Sequence, residues 1–532
     1  RPEGVTRGMI VRGQACRGLR AAGSACRRAL STPSFAPAGS LAWPKKPRVL
    51  ILGSGWGGNK VARNLDGNKF DVRLVSPSNH FLFTSFLPAT AVGTLEFRAV
   101  QEPVRTNPNL SQYYQAKATR LYPKEKKVVC TDIFKEKEFE LEYDFLIIAA
   151  GCKTNTFRTP GVDEREGIEV FFLKHLYHAR QIRSRMLECF ERAAMPARVK
   201  PGEVPTAESA AKRQEEIDRL LSFVVVGGGP TNCEFATELK DFLTKDVARW
   251  YPDLVDRVKV TIVEAGPKIL GMFSEHLIEY YLAGLQRKEV DVRVNTLLAK
   301  VEIRTDVDTT CGGDFTVAHL KNPDGSMEVL PFGMMVWSAG LAPVKFLTEN
   351  NNFEKGMMGR IKVDDYLRVP DTGGCVYAIG DCAVTPEPLP PIASSAEQQG
   401  QYLADCFNTY YYKPEFQSSS DEDLPLPGPV PAPVGLPFPR FMYPNSAKFS
   451  YINVGGMVSM GFGDGIVDMS RADVPGFEFG DRVYKPSMRG YFAMAAWRGG
   501  YLLKQLSYRN MMLIPMYWFK SIIFGRDISN GY

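Results

Sequence analysis

The stretch "FVVVGGGPTNCEFATEL", Phe223 to Leu239, decides how the chain is read. Four apolar, β-branched-rich residues run into three glycines, and a helical pattern follows. A buried parallel strand, a tight turn and a helix N-terminus have this layout. Glycines let the backbone turn sharply and approach a pyrophosphate, and the helix start offers free N–H groups and a positive dipole end. Asn232 stands where such loops usually carry a last Gly or Ala, and a side chain there is expected to crowd the turn.

A second copy of the pattern lies upstream. "RVLILGSGWGGNKVARNL", Arg48 to Leu65, places Gly53, Gly55, Gly57 and Gly58 between a short apolar run and a helical stretch. A lone GxGxxG is weak; one set between strand and helix is much stronger. Each loop is followed by a β-branched run: "FDVRLVSP", Phe70 to Pro77, and "VKVTIVEAG", Val258 to Gly266. Each half also has a strand ending in small residues, "YDFLIIAAG" to Gly151 and "MMVWSAG" to Gly340. The duplication predicts an α/β chain with two Rossmann-type dinucleotide-binding domains.

The residue ending the second β-run of each unit indicates the ligand. Glu264 suits ribose hydroxyls and repels a 2′-phosphate, which favours NADH over NADPH. Ser76 holds the same place in the first unit and says only dinucleotide. "GCVYAIGDCA", Gly374 to Ala383, ends a strand in Gly380-Asp381. In two-domain flavin reductases such an Asp meets the ribityl or pyrophosphate part of FAD. The first unit with Asp381 therefore reads as an FAD site and the second as an NADH site. "NHFLFTSFLPATAVGT", Asn79 to Thr94, holds no cysteine, so a redox disulfide next to the flavin is disfavoured.

The 532 residues suggest about three domains. Hydrophobic content of 44% with 23% charged residues suits a globular protein with a large core. The net charge of +6 is modest, and no basic, aromatic-interleaved nucleic-acid face dominates. Ten scattered cysteines form no CxxC pair, so they read as free thiols rather than zinc ligands.

The two ends differ from the middle. Between Glu3 and Asp66 there is no acid, and Arg7, Arg12, Arg17, Arg20, Arg27 and Arg28 stand among Ala, Gly, Ser and Cys. This is the composition of a mitochondrial presequence, or else of a basic tail without an address. From Arg482 to Arg526 there is again no acid. Phe, Trp, Tyr, Met and Leu interleave there with Arg489, Arg498, Lys504, Arg509, Lys520 and Arg526. No run of 18 apolar residues occurs, so two amphipathic helices lying in a membrane interface fit, or helices packed on the protein's own core or on a second copy. A quinone is the acceptor expected at such a surface.

The expected organisation is a presequence over 1–46, an FAD-binding domain over 47–219 and 342–412, and an NADH-binding domain over 220–341. A proline-rich, polyproline-like or disordered insertion follows over 413–440, then a membrane-associated C-terminal domain over 441–532. A helical, charged region is predicted from about Leu173 to Arg219.

Together "LGSGWGG", "SPSNHFLFTSFLP", "AVGTLEFRAVQEPVR", "VVVGGGPTNCEFATEL" and "YAIGDCA" resemble the alternative, or type II, NADH:quinone oxidoreductases of mitochondria. The likeness runs from about Pro47 to Tyr532, outside the proline-rich insertion. It implies non-covalent FAD, NADH as substrate, quinone as acceptor, no proton pumping, peripheral attachment to the inner membrane, and often a homodimer. It places Gly53, Gly55, Gly57, Gly58, Ser76, Thr84, Pro88 and Asp381 on FAD, and Gly227, Gly229, Glu264 and Gly340 on NADH. It assigns Glu234 to hydride transfer or proton delivery, although a carboxylate at a helix start also has a purely electrostatic place. The family usually carries Ala-Gln-x-Ala-x-Gln at its quinone site; here Ala393-Ser394-Ser395-Ala396-Glu397-Gln398 keeps Gln398 and replaces the first Gln with Ser394. These departures leave open a regulatory or structural subunit of a respiratory assembly that keeps the fold, or a soluble reductase with a protein acceptor.

Overall fold

The computed structural model describes residues 46–196, 206–305, 315–416, 424–433, 443–473 and 477–529, apart from 480, 481 and 486. Residues 1–45 of the expected presequence lie outside these residues, as do 417–423 and 434–440 of the proline-rich segment.

Two parallel five-stranded sheets carry the chain. The first runs Val376–Ala378, Phe145–Ile148, Arg48–Leu52, Asp71–Val75, Gln112–Tyr114. The second runs Val170–Phe172, Met334–Trp337, Ser222–Val226, Lys259–Val263, Val290–Arg293. Arg48–Leu52, Phe145–Ile148, Ser222–Val226 and Met334–Trp337 are almost wholly buried, which is why they read as continuous apolar runs rather than alternating ones.

The two sheets repeat each other in detail. Leu52 pairs with Val75, and Val226 with Val263. Each is followed by an antiparallel three-stranded meander: Ala116–Tyr122, Lys127–Asp132, Glu138–Glu142 in the first half, and Leu297–Arg304, Phe315–Lys321, Met327–Pro331 in the second. The first sheet takes its edge strand, Val376–Ala378, from beyond the second sheet in sequence. The second sheet is thus an insertion within the first.

The predicted helical region is two helices, Leu176–Ala194 and Ala207–Leu220. The described part of the proline-rich segment is not a free polyproline strand. Leu424, Val430 and Ala432 are buried, Val430 bridges to Ser446, and the Tyr410 hydroxyl donates to the Pro429 carbonyl at 3.1 Å. Its apolar residues alternate with prolines, so an extended chain can lay one edge on the first sheet's core.

The C-terminal part is a three-stranded sheet, Gly456–Ser459, Gly465–Asp468 and Ser487–Arg489, followed by helices Tyr491–Leu503 and Tyr508–Ile523. Among the described residues no helix is long and apolar enough to cross a membrane. The pair is two-faced. Asn510, Ile514 and Trp518, spaced by four, face the core, while Tyr508, Met512, Met516, Phe519 and Ile523 are exposed.

The inner face explains the missing acids, because the core supplies them. Lys504 pairs with Glu397 at 3.1 Å, Ser507 and Asn510 donate to Glu102 at 2.8 and 3.2 Å, and Arg526 meets Glu238 and Asp246. Of the placements expected for this stretch, packing on the protein's own core holds for the inner face. Lys504 and Arg526 point inward, Arg489 lies over the Tyr280 ring, and Arg509 is exposed.

Candidate functional site

Both glycine loops sit at the carboxyl ends of the central strands, where open α/β sheets bind ligands. The Gly53 N–H donates to the Val75 carbonyl, and the Gly227 N–H to the Val263 carbonyl, each at 2.8 Å. Both glycines have φ of +110°, a left-handed backbone that side chains resist. A Cβ placed on Gly55 or Gly229 would meet no atom within 4 Å. The second glycine of each loop therefore faces open space, as a backbone that approaches a pyrophosphate must. On this ground the two loops fit two dinucleotides.

Asn232 does not crowd its loop. Its Nδ2 donates to the carbonyls of Val226 at 2.7 Å and Gly227 at 2.9 Å. The matching position in the first loop is Gly58, where a Cβ would overlap the carbonyl oxygen of Gly53. The same carbonyl packs on a glycine in one loop and is hydrogen-bonded by an amide in the other. Asn232 thus ties the turn to its strand, at the cost of a buried Oδ1 without a partner.

Glu264 stands at the mouth of the second loop, accepting the N–H of Gly228 on Oε2 and of Gly266 on Oε1, both at 2.5 Å. Ser76 sits at the matching place in the first, its hydroxyl 2.9 Å from that of Ser54 and accepting the Ser78 N–H at 3.2 Å. Asp381 lies in the turn after Val376–Ala378, beside the first loop. The Cys152 thiol donates to its Oδ2 at 2.9 Å, and Lys174 donates to Cys152 at 2.9 Å. Gly340, at φ +73°, ends the strand Met334–Trp337 and accepts the Asn155 N–H.

Thr84 is tied to the first loop through Trp56, whose indole N–H donates to Thr84 Oγ1 at 3.0 Å, and Pro88 is buried in the short helix Leu87–Ala91 that follows. Aromatic contacts continue outward. Trp56 meets Phe83 at 4.9 Å, Phe83 stacks on Phe86, and Phe86 meets Trp497, Tyr501 and Trp518. This cluster joins the first loop to both C-terminal helices.

Glu234 lies in the first turns of the helix Pro230–Lys245, 6% exposed. Its Oε1 accepts the backbone N–H of Ser459 at 2.8 Å and the indole N–H of Trp497 at 3.0 Å. Burial pushes its pKa up to about 8, against the pull of those two donors. The carboxyl so joins the helix that follows the second glycine loop to the C-terminal helix Tyr491–Leu503.

The segment expected at the quinone site is the start of the helix Ala393–Cys406. Gln398 does not present its amide to a cavity: Nε2 donates to the Ile452 carbonyl at 2.8 Å, and Oε1 accepts the Ile452 N–H at 2.9 Å. Gln398 here pins the segment around Ile452 to the helix Ala393–Cys406. The Ser394 hydroxyl lies 3.4 Å from that of Tyr451. Glu397 is held between Lys60 at 3.3 Å and Lys504 at 3.1 Å, which keep its pKa below the ordinary range against the opposing effect of burial. Trp497 and the Glu397 ion pairs were not found by sequence reasoning, since only the fold brings them to the site.

Two dinucleotide loops at the ends of two duplicated parallel sheets define a nucleotide-dependent oxidoreductase of two Rossmann units. The family model for pyridine nucleotide-disulphide oxidoreductases matches residues 47–400. A probable NADH dehydrogenase of Dictyostelium discoideum is 36% identical over 489 residues, 91% of each chain. An external NADH-ubiquinone oxidoreductase 2 of Saccharomyces cerevisiae mitochondria is 34% identical, covering 91% of this chain and 82% of its own. NDH2 of Plasmodium falciparum, solved in complex with NADH, shares the fold with a TM-score of 0.72 and 23% identity, over 91% of this chain and 100% of that one. The chain belongs to the family of type II, or alternative, NADH:quinone oxidoreductases.

Proposed function

We propose that this chain oxidises NADH and delivers two electrons to a membrane ubiquinone through non-covalent FAD, without moving protons across the membrane. The observation that carries the proposal is Glu234, a buried carboxyl on the helix that follows the NADH-type loop, bonded to Trp497 of the first of the two C-terminal helices. The mitochondrial relatives support the substrates by name. FAD, when bound, supplies an acceptor for hydride and a two-electron donor.

The chain's own groups do the rest. The loop from Gly53 to Gly58 receives the FAD pyrophosphate at the start of helix Trp56–Asn64, and Asp381 takes the ribityl side. Thr84 and Pro88 would line the place of the ring system. Gly227 and Gly229 receive NADH, and the Glu264 carboxylate accepts its ribose hydroxyls. Glu234 is protonated at neutral pH. With Oε1 accepting two N–H groups, its proton sits on Oε2, ready for a quinone oxygen. The exposed stripe Met512, Met516, Phe519 and Ile523 rests in the inner-membrane surface.

Anaerobic stopped-flow of the FAD-loaded chain tests the two halves separately. NADH should bleach the flavin, and a short-chain quinone should restore its absorbance. A flavin that NADH leaves oxidised overturns the proposal; one that quinone leaves reduced overturns its acceptor.

A further inference from the structure

The chain ends in a closure that neither loop nor membrane stripe accounts for. After helix Tyr508–Ile523, Gly525 turns with φ of +78° and Arg526 runs back into the protein. Its side chain is 4% exposed, and all three nitrogens are engaged. Nη2 meets Glu238 Oε2 at 3.2 Å, Nη1 meets Asp246 Oδ2 at 3.2 Å, and Nε donates to Thr94 Oγ1 at 2.9 Å. Thr94 Oγ1 donates in turn to Glu238 at 2.8 Å, and the Arg526 backbone N–H donates to Asp246 Oδ1 at 3.0 Å. Arg183 then takes the Asp527 carbonyl at 2.6 Å.

These partners are not scattered. Glu238 lies one turn after Glu234 on helix Pro230–Lys245, and Asp246 caps that helix. Thr94 ends the segment that carries Thr84 and Pro88. One side chain therefore locks the membrane-facing helix pair to the helix of Glu234 and to the flavin-side segment.

We propose that Arg526 is a positioning residue for the quinone half-reaction: it seats the C-terminal helix pair, and so Trp497, against Glu234, and it cancels the Glu238 charge one turn away. The inference rests on the role given to Glu234 above. The groups facing Glu234 are Glu238 and Cys233 on its own helix, Tyr281 from helix Glu275–Arg287, and Trp497 and Tyr501 from helix Tyr491–Leu503, with the Ser459 N–H from the C-terminal sheet. Arg498 is a second cation close to Glu238. Of these, Glu238 is the carboxylate that Arg526 touches.

The test is the pH dependence of flavin reoxidation by a short-chain quinone, read on the full FAD-loaded chain beside FAD content and melting temperature. Arg526→Met makes the surroundings of Glu234 more negative, so its proton binds more tightly. The alkaline limb should rise by about one pH unit. Glu238→Gln should lower the limb, and the double variant should return it close to the native position. A limb that stays put in Arg526→Met and Glu238→Gln, with melting temperature alone reduced, overturns the proposal and leaves Arg526 a staple. If Arg526→Met fails to fold, Glu238→Gln decides by itself: a lowered limb supports the proposal and an unmoved one overturns it. A native protein that quinone cannot reoxidise at any pH sinks the proposed function and this inference together; a native protein that turns over while the variants keep its limb sinks this inference only.

Discussion

Glu234→Gln separates the charge of the buried carboxyl from its shape. The amide keeps an oxygen for the N–H groups of Ser459 and Trp497 and cannot ionise. Burial raises the Glu234 pKa from an ordinary 4.5 to about 8. Between those values the folded chain holds a proton that the unfolded chain has lost. Stability therefore falls as pH climbs through the window and levels off above it. A gap of roughly 3.5 pH units, at about 1.4 kcal/mol each, amounts to about 5 kcal/mol. The Gln variant carries none of this dependence. Relative to the native protein it should gain about 3 kcal/mol between pH 5 and 7, and about 4 kcal/mol between pH 5 and 9. Thermal unfolding across this range, with the FAD-loaded chain, reads the gap as a widening difference in melting temperature. Reoxidation of the flavin by quinone should slow by about 10²–10⁴-fold. A melting difference that stays constant from pH 5 to 9 refutes the assignment of a buried, protonated carboxyl.

Substitutions at three other positions probe the remaining parts. Glu264→Ala removes the acceptor for the Gly228 and Gly266 N–H groups; the KM for NADH should rise about tenfold or more while the preference over NADPH shrinks, measured by steady-state titration of both. Asn232→Asp sets a carboxylate against the Val226 and Gly227 carbonyls and should abolish flavin reduction by NADH, whereas Asn232→Gly should keep it; equal rates in the two would refute the bracing role. Glu397→Gln loosens Lys60 and Lys504 and should cost about 1–3 kcal/mol at neutral pH. Its carboxylate has a lowered folded pKa, so that contribution is complete above the unfolded value and disappears as pH falls through the folded one; urea unfolding at neutral and acid pH should show the difference between variant and native protein closing.

What the sequence made legible is what depends on neighbours in the chain. The two loops, their strands and Glu264 follow from glycine spacing locked between a β-run and a helix. The role of Asn232 does not, because its worth lies in two carbonyls whose direction is set only once the turn closes. Gln398 kept the family's residue type, yet its partner is the backbone of Ile452, 54 positions away. The acid-free C-terminal stretch has an exposed and a buried face. Arg509 and the apolar stripe face outward, while Lys504 and Arg526 answer carboxylates far away in sequence. Composition cannot tell a cation that seeks lipid headgroups from one that completes a buried ion pair.

The carboxylates under the C-terminal helices have a consequence for how the protein can be handled. Glu102, Glu238, Asp246 and Glu397 are charge acceptors whose donors arrive last in the chain. Trimming the helices to obtain a more soluble core would take from each of those acids a donor that the helices supply and uncover the aromatic surface around Phe86 and Trp56 together. The exposed half of the segment and the half that completes the fold cannot be separated by a cut. Only point changes on the outer stripe, such as Met512→Asp or Phe519→Asp, divide attachment from assembly.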